Sequence, residues 1–413
     1  MPDALLIDPC NFKDYPTGGQ LSFARQLMKA YGDRLALVGT STDDTPVGRW
    51  LEREFDGTRF RIFSVGRWRP TARRPLIPGR LAVLIRLRRY RKRVFSLGVH
   101  HLFTQSPETI LALSSLPWRS ICYCFAGAVS PLHRPRYPWA RLLSPAFERW
   151  WWRALGRADV LLASADQASI DDFVRTSRGP LRRPQIVPFP TRYDDSIFYP
   201  FPQSSARSAL KMPAGHTLVV CVGRVNAVKG WDLILDAFKA FLGRRPDAML
   251  CFVGDGEDRS ALVRRAAGLG LSGHVRVTGF LRPDAVATYL NAADLVVFGS
   301  HHEGWSVAML EAIACGKALV STDVSGSRDM VVEGQNGFIV RQRTPDVFAR
   351  AMEDALALDT AHRVSTSVAS RYRLGTLAQD LGRLWSPLRS ESEPGGPVEA
   401  DAVASCTGLM EGQ

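Results

Sequence analysis

Residues 293–326, ADLVVFGSHHEGWSVAMLEAIACGKALVSTDVSG, restrict the fold of this chain more than any other stretch. Leu295 to Phe298 is an uninterrupted apolar run, as expected of a strand buried on both faces. A polar loop, Gly299 to Gly304, follows, then a helix beginning near Ser306 and ending near Cys315-Gly316. A second apolar strand runs from Ala318 to Ser321. Glu303 falls just before the helix start, where backbone N–H groups are unpaired and the dipole end is positive, and Glu311 falls in the second turn. Two carboxylates and free N–H groups at the C-terminal edge of a strand suit a ligand carrying both sugar and phosphate. Read plainly, the same acids are solvated surface residues beside a helix start, and spacing alone does not choose.

The rest of the second half repeats the pattern. Apolar runs at Thr217–Val222, Ala248–Val253 and Val275–Gly279 alternate with helical segments, which argues for a doubly wound parallel sheet. The first run leads into Gly223-Arg224, and Lys229-Gly230 opens the next helix. Cations at a strand end and a helix start are placed to clamp a diphosphate from two sides, though two surface cations are the plainer reading. Gly254-Asp255-Gly256 is glycine-rich, but a complete GxGxxG is missing and a dinucleotide site is not expected.

At 413 residues the chain suits two domains, and its hydrophobic and charged fractions of 46% and 23% are those of a soluble globular protein. The formal charge of +13 implies an acidic partner. The seven cysteines are scattered, form no CxxC pair and read as reduced core residues of a cytosolic protein. The start, MPDALLIDP, has no basic n-region and is not expected to be a signal peptide. No apolar run reaches the roughly 20 residues of a membrane helix.

The first half opens with a strand, Ala4–Ile7, a loop closing on Thr17-Gly18-Gly19, and a helix from Gln20 that buries Leu21, Phe23, Ala24 and Leu27. Such a glycine loop is phosphate-binding geometry, or a simple tight turn. Further strands are expected at Leu35–Val38, Phe60–Val65, His100–Thr104, Arg119–Phe125 and Ala158–Ser164. Helices are expected to open at Ser106-Pro107-Glu108, to run from Pro145 to Leu155 with Trp150, Trp151 and Trp152, and to span Ala165–Arg175. Between Arg67 and Arg93 lie ten arginines, one lysine and no acid. From Arg80 onward Leu81, Leu84, Ile85 and Tyr90 form an apolar stripe, which describes a basic amphipathic helix on an anionic membrane. The alternatives are a solvated basic face and a nucleic-acid surface, and no nucleic-acid motif supports the latter. Prolines crowd Ile186–Phe201, where the boundary between domains is placed.

The run EGWSVAMLEAIACGKALVSTDVSG, lying between two strands, resembles the Glu-x7-Glu signature of the retaining family 4 glycosyltransferases. The resemblance covers essentially the whole second half with specific motifs and the first half in outline. It implies an α/β GT-B fold, two Rossmann-like doubly wound domains facing a cleft. The division it implies is an acceptor-side domain at 1–187, a hinge at 188–204, and a nucleotide-sugar domain at 205–370. A helix at 371–389 crosses back, and 390–413, rich in Ser, Glu, Gly and Pro, is expected to be disordered.

The resemblance further implies that Arg224 and Lys229 hold the leaving diphosphate and that Glu303 holds the donor sugar. Glu311 then holds the ribose, and donor contacts come from Gly18, Gly19, Gly223, Phe280, Gly304, Trp305 and Ser306. Many members carry a histidine at the end of the strand that here reads RSICYCF. This chain has Phe125 and Ala126 there, and the nearest histidine is His133. At the hinge it keeps a proline, an aspartate and Phe198 but lacks the family's Asn-Gly. His301-His302 beside Glu303 lacks the HExxH spacing, so no metal is expected. The expected activity is transfer, with retention, from a UDP-, GDP- or ADP-linked sugar to a saccharide or lipid-linked acceptor in cell-surface polysaccharide or lipopolysaccharide assembly. No cofactor and no nucleic acid are expected, and the expected location is cytoplasmic, peripheral on the inner membrane face. A sugar-nucleotide epimerase on the same fold and a non-catalytic membrane scaffold are the alternatives.

Overall fold

A computed structural model of the chain describes residues 1–16, 19–68, 79–128, 140–177, 186–212 and 215–388, with side chains of the helix beginning at Ala140 described from residue 144 onward. The first domain holds strands β1 (Ala4–Ile7), β2 (Leu35–Ser41), β3 (Trp50–Phe55), β4 (Thr58–Arg67), β5 (His101–Thr104), β6 (Ser120–Phe125), β7 (Val160–Ala163) and β8 (Ile186–Pro188). Their order is β3-β4-β2-β1-β5-β6-β7-β8, parallel except for β3, which forms an antiparallel hairpin with β4. The second domain holds β9 (Leu218–Val222), β10 (Met249–Val253), β11 (Val275–Val277), β12 (Leu295–Phe298), β13 (Ala318–Thr322) and β14 (Gly337–Val340). These pair in parallel in the order β11-β10-β9-β12-β13-β14.

Both sheets are covered on both faces, which is why their inner strands are continuous apolar runs and not alternating ones. On β2, Leu35 and Leu37 enter one core while Ala36 and Val38 enter the other. On β9, Val219 and Cys221 face one core, and Leu218, Val220 and Val222 the opposite one. The strand order reverses between β1 and β5 in the first sheet and between β9 and β12 in the second. Beyond the carboxyl ends of strands at such a reversal the flanking loops part and leave a crevice for ligand.

Past the second domain the chain returns to the first. Leu374, Leu377, Leu381, Trp385 and Leu388 share a core with Leu21, Phe23 and Leu27 of the helix Gly19–Tyr31. The Tyr31 hydroxyl donates to the Ala378 carbonyl at 3.0 Å and the Trp385 indole to Ser120 Oγ at 2.9 Å. Arg192 joins the linker to this returning helix through Asp380 at 2.8 Å.

Two expectations need correction. The tryptophan helix does not open at Pro145 but spans Ala140–Leu155 with that proline inside it. Trp151 and Trp152 are buried and Trp150 is exposed, as the turn between successive helical residues requires. The basic segment also differs: Arg67 ends β4, residues 69–78 lie outside the described residues, and the helix is Gly79–Phe95. Its inward face is Val83, Leu84, Leu87 and Val94, and Tyr90 packs edge-on against Phe63 at 5.7 Å. Of the expected stripe only Leu81 and Ile85 face outward, because the sheet claims the remainder. The tail at 390–413 lies outside the described residues, as do Cys406 and His133, while the other six cysteines are buried and free.

Candidate active site

Gly230 brings the two halves of the second-domain site together. It is left-handed, at φ 61°, and a Cβ there would meet the Gly299 carbonyl oxygen at 1.8 Å. Only glycine therefore lets the loop after β9 lie on the loop after β12. Just before it, the short turn Ala227–Lys229 is capped by Asn226, whose Oδ1 accepts from the Lys229 N–H at 3.2 Å. The Lys229 side chain then reaches across the reversal point, and its Nζ lies 2.6 Å from Glu303 Oε1.

Glu303 is buried, and the same Oε1 accepts the Ser300 hydroxyl at 2.6 Å. Ser300 is fixed in turn: its carbonyl accepts Thr322 Oγ1 at 2.6 Å and Arg343 Nη1 at 2.7 Å. Gly223, Arg224, Lys229 and Ser300 line one small cavity beneath this junction. Sequence reasoning missed Ser300, Thr322 and Arg343. The polar loop Gly299–Gly304 marked the first of them, but nothing in the sequence tied the other two to it.

The helix after this loop, Val307–Ala314, is capped by Ser306, whose Oγ accepts from the Met309 N–H at 3.4 Å. Glu311 stands on it, half-buried, and desolvation alone raises its carboxyl from 4.5 to about 8. Among the described residues no hydrogen bond or ion pair reaches that carboxyl. Phe280 is 81% exposed on the turn that follows β11. Trp305 is placed otherwise than a donor-contacting side chain would be. Its ring is buried in the core with Val324 and Met330, edge-on to Tyr372 at 5.3 Å. Any contact of residue 305 with a ligand in the cleft therefore falls to its backbone.

On the facing side, Gly18 lies outside the described residues, and Gly19 begins the helix Gly19–Tyr31 with open space around it. The helix start is fixed by a reciprocal pair: Gln20 Nε2 donates to the Gln105 carbonyl at 3.1 Å, and Gln105 Nε2 to the Gln20 carbonyl at 3.0 Å. Asp8, at the end of β1, accepts from Gln105 N and Nε2 at 2.8 and 2.9 Å. Burial raises the Asp8 carboxyl to about 7 against the pull of these bonds.

The domains touch across the cleft. A Cβ on Gly304 would meet the Ala126 carbonyl oxygen at 2.8 Å and Gly127 Cα at 3.1 Å. Asp166, the cap of the helix Gln167–Thr176, accepts the Gly326 N–H at 2.7 Å. At the end of β6, Phe125 is buried against Tyr123, Trp151 and Phe173, and the resemblance implied a histidine at Phe125 or Ala126.

Two Rossmann-like sheets with a site at their facing reversal points define the GT-B architecture. Sucrose-phosphate synthase from Thermosynechococcus elongatus has this fold, superposing with a TM-score of 0.72 at 19% identity over 93% of this chain and 98% of that one. HepE from Anabaena, solved with UDP and glucose, gives 0.69 at 19% identity over 94% and 100%. WaaG, a glycosyltransferase of lipopolysaccharide biosynthesis, gives 0.65 at 18% identity over 92% and 99%.

Residues 203–371 match the sequence model of the glycosyl transferases group 1. Among curated relatives, the lipopolysaccharide core biosynthesis glycosyltransferase LpsE of Rhizobium meliloti is 35% identical over 151 residues, 37% of this chain and 43% of that protein. A D-inositol 3-phosphate glycosyltransferase of Nocardiopsis dassonvillei is 29% identical over 232 residues, 53% of this chain and 54% of that protein. The chain spans about half the length of the curated relatives it matches.

Proposed function

We propose that this protein transfers a sugar from a nucleotide-diphosphate sugar to a saccharide or lipid-linked acceptor, with retention of configuration. The observation that carries the reading is the Lys229–Glu303 pair at 2.6 Å, held at the β9/β12 reversal by Ser300. In the free protein each group occupies the other. A donor resolves both at once, its diphosphate taking the ammonium and its sugar hydroxyls taking the carboxylate. Arg224, Lys229 and the N–H groups at the helix start behind Ser306 then face the negative charge that develops on the departing diphosphate. Charge stabilisation by groups already in place is commonly the largest single contribution to such a step. Glu311 serves the ribose hydroxyls, and Phe280 offers an exposed face to the base. The Gly18-Gly19 amides complete the phosphate side from the first domain.

Retention follows from a front-face route in which the leaving phosphate takes the acceptor proton. The curated relative LpsE of lipopolysaccharide core biosynthesis, and the two HepE ligands, support a saccharide or lipid-linked acceptor and a UDP-type donor. The test is nucleotide release from UDP-, GDP- and ADP-sugars, with and without a membrane lipid extract, for the wild type and Glu303→Gln. Lipid-dependent release from one donor, reduced at least roughly tenfold in the variant through misplacement of the sugar, is the expected result. Conversion of a donor with no acceptor present points to an epimerase instead. Near-normal turnover by Glu303→Gln removes the role given to that residue.

A further inference from the structure

Asp8 is buried just past the end of β1, beside the reversal of the first sheet, and the proposed transfer makes no use of it. An ionised carboxyl taken out of water must be held by charge or by hydrogen bonds. Among the described residues no cation pairs with it. Hydrogen bonds hold it instead, and they come from the end of β5. Oδ1 accepts from the Gln105 N–H at 2.8 Å and from Thr104 Oγ1 at 3.2 Å, and Oδ2 accepts from Gln105 Nε2 at 2.9 Å.

A carboxylate accepts and never donates, so it fixes which way the Gln105 amide turns. The amide nitrogen faces Asp8, and its second hydrogen reaches the Gln20 carbonyl at 3.0 Å. Reversed, the amide would set its own oxygen against both of those oxygens. Gln20 Nε2 in turn donates to the Gln105 carbonyl at 3.1 Å. Gln20 is the second residue of the helix Gly19–Tyr31. A side chain beyond β1 thus decides how that helix start is moored to the end of β5. Protonation undoes the arrangement. A hydrogen on Oδ2 meets those of Nε2, and the amide relieves the clash by turning over and leaving the Gln20 carbonyl. Burial raises the Asp8 carboxyl to about 7. The ionisable groups that face it are Glu108, which adds to the rise and which Arg80 approaches at 3.5 Å, and the thiols of Cys10 and Cys124, kept neutral by desolvation. The moored form therefore gains as pH rises through about 7.

We infer that Asp8, acting through Gln105, is a positioning residue that sets where the start of the helix Gly19–Tyr31 stands. That the N–H groups placed there meet a diphosphate rests on the transferase reading above.

Hydrogen exchange on the full chain tests this at Phe23, Ala24 and Arg25, the first amides that the helix itself bonds. The variant Asp8→Asn keeps the shape of the side chain but replaces one acceptor with a donor, as protonation does. After correction for the intrinsic rate, protection of these amides in the wild type should rise between about pH 6 and 8. In Asp8→Asn it should be about fivefold lower at pH 8, the weight of one hydrogen bond, and should lack the step. Amides of β9 and β12 should exchange as before. UDP affinity by calorimetry should fall by a similar factor in the variant. Unaltered protection in Asp8→Asn, or a pH step that survives it, overturns the inference. Gln20→Ala, at a half-buried site, removes one mooring bond. It should lower the same protection, and it decides the matter if Asp8→Asn does not fold. Lost protection with unchanged UDP affinity upholds the positioning and takes the diphosphate away from this helix start. A wild type that binds no nucleotide counts against the transferase reading, and the exchange result alone then decides the role of Asp8.

Discussion

With its carboxyl raised to about 8 by desolvation and no cation beside it among the described residues, Glu311 carries a proton through the neutral range, whereas Glu303 on the same loop-helix unit is paired with Lys229. The difference has a consequence for stability that can be signed. A carboxyl raised in the folded state binds a proton that the unfolded chain has already released. Its contribution is therefore fully present below the ordinary value of 4.5 and is lost as pH rises toward about 8. Asp8, raised to about 7 by burial, acts in the same direction over a narrower window. Glu311→Gln removes the larger of these terms, so its melting temperature should exceed that of the wild type at pH 8 and converge with it at pH 4–5. A constant offset across that range, measured by calorimetry, would show that desolvation of this carboxyl is not what the substitution relieves. The pair of acids was visible in the sequence because their spacing fits one loop and one helix. Their opposite surroundings were not, since Lys229 arrives from a different strand end and the hydrophobic surroundings of Glu311 come from the packed domain.

At the scale of elements, the site depends on two loops lying in contact at Gly230 and Gly299. Gly230→Ala places a methyl group at 1.8 Å from a carbonyl oxygen, on backbone at φ 61°. The loops must separate, at a cost of more than about 1 kcal/mol. Lys229 then leaves Glu303, and nucleotide affinity by calorimetry should fall at least roughly tenfold, since both charged groups lose their placement. Unchanged affinity would mean that the contact between loops does not set the site. The strands around it were legible because a sheet covered on both faces demands unbroken apolar runs, as in LVVCV and LVVF. The strand Trp50–Phe55, with sequence WLEREF, was not, because this edge hairpin leaves Glu52 and Glu54 in solvent. The basic helix Gly79–Phe95 misled for a related reason. Its stripe of leucines is amphipathic toward a sheet as readily as toward a bilayer, and periodicity does not distinguish the two.

For the whole molecule, the charge of +13 is carried largely where the first domain presents Leu81 and Ile85, 44% and 51% exposed, on the basic helix. Trp150 from the neighbouring helix stands with the Arg88 guanidinium 5.1 Å from its ring. Among the described residues no helix is long and apolar enough to cross a membrane. We propose that this basic face attaches the protein superficially and electrostatically to an anionic membrane. Vesicles of phosphatidylglycerol should retain the protein at low salt and release it as salt rises, whereas phosphatidylcholine should not retain it. A double Leu81→Glu, Ile85→Glu change at these exposed sites should weaken retention at least roughly tenfold while leaving the melting temperature in place. Equal retention by neutral vesicles, or by the double variant, would assign the basic face another role.

The return of the chain to its first domain also imposes an order on how the molecule is made. Among the described residues, the second domain's cores draw on residues between Tyr193 and Tyr372. One core of the first domain needs Leu374 through Leu388 to cover the helix that begins at Gly19. Synthesis proceeds from the N-terminus, so the domain that emerges first waits, with leucine and phenylalanine side chains uncovered, until the other has been produced and folded. The half that is begun first is finished last, and only a chain that has passed through both domains can close it.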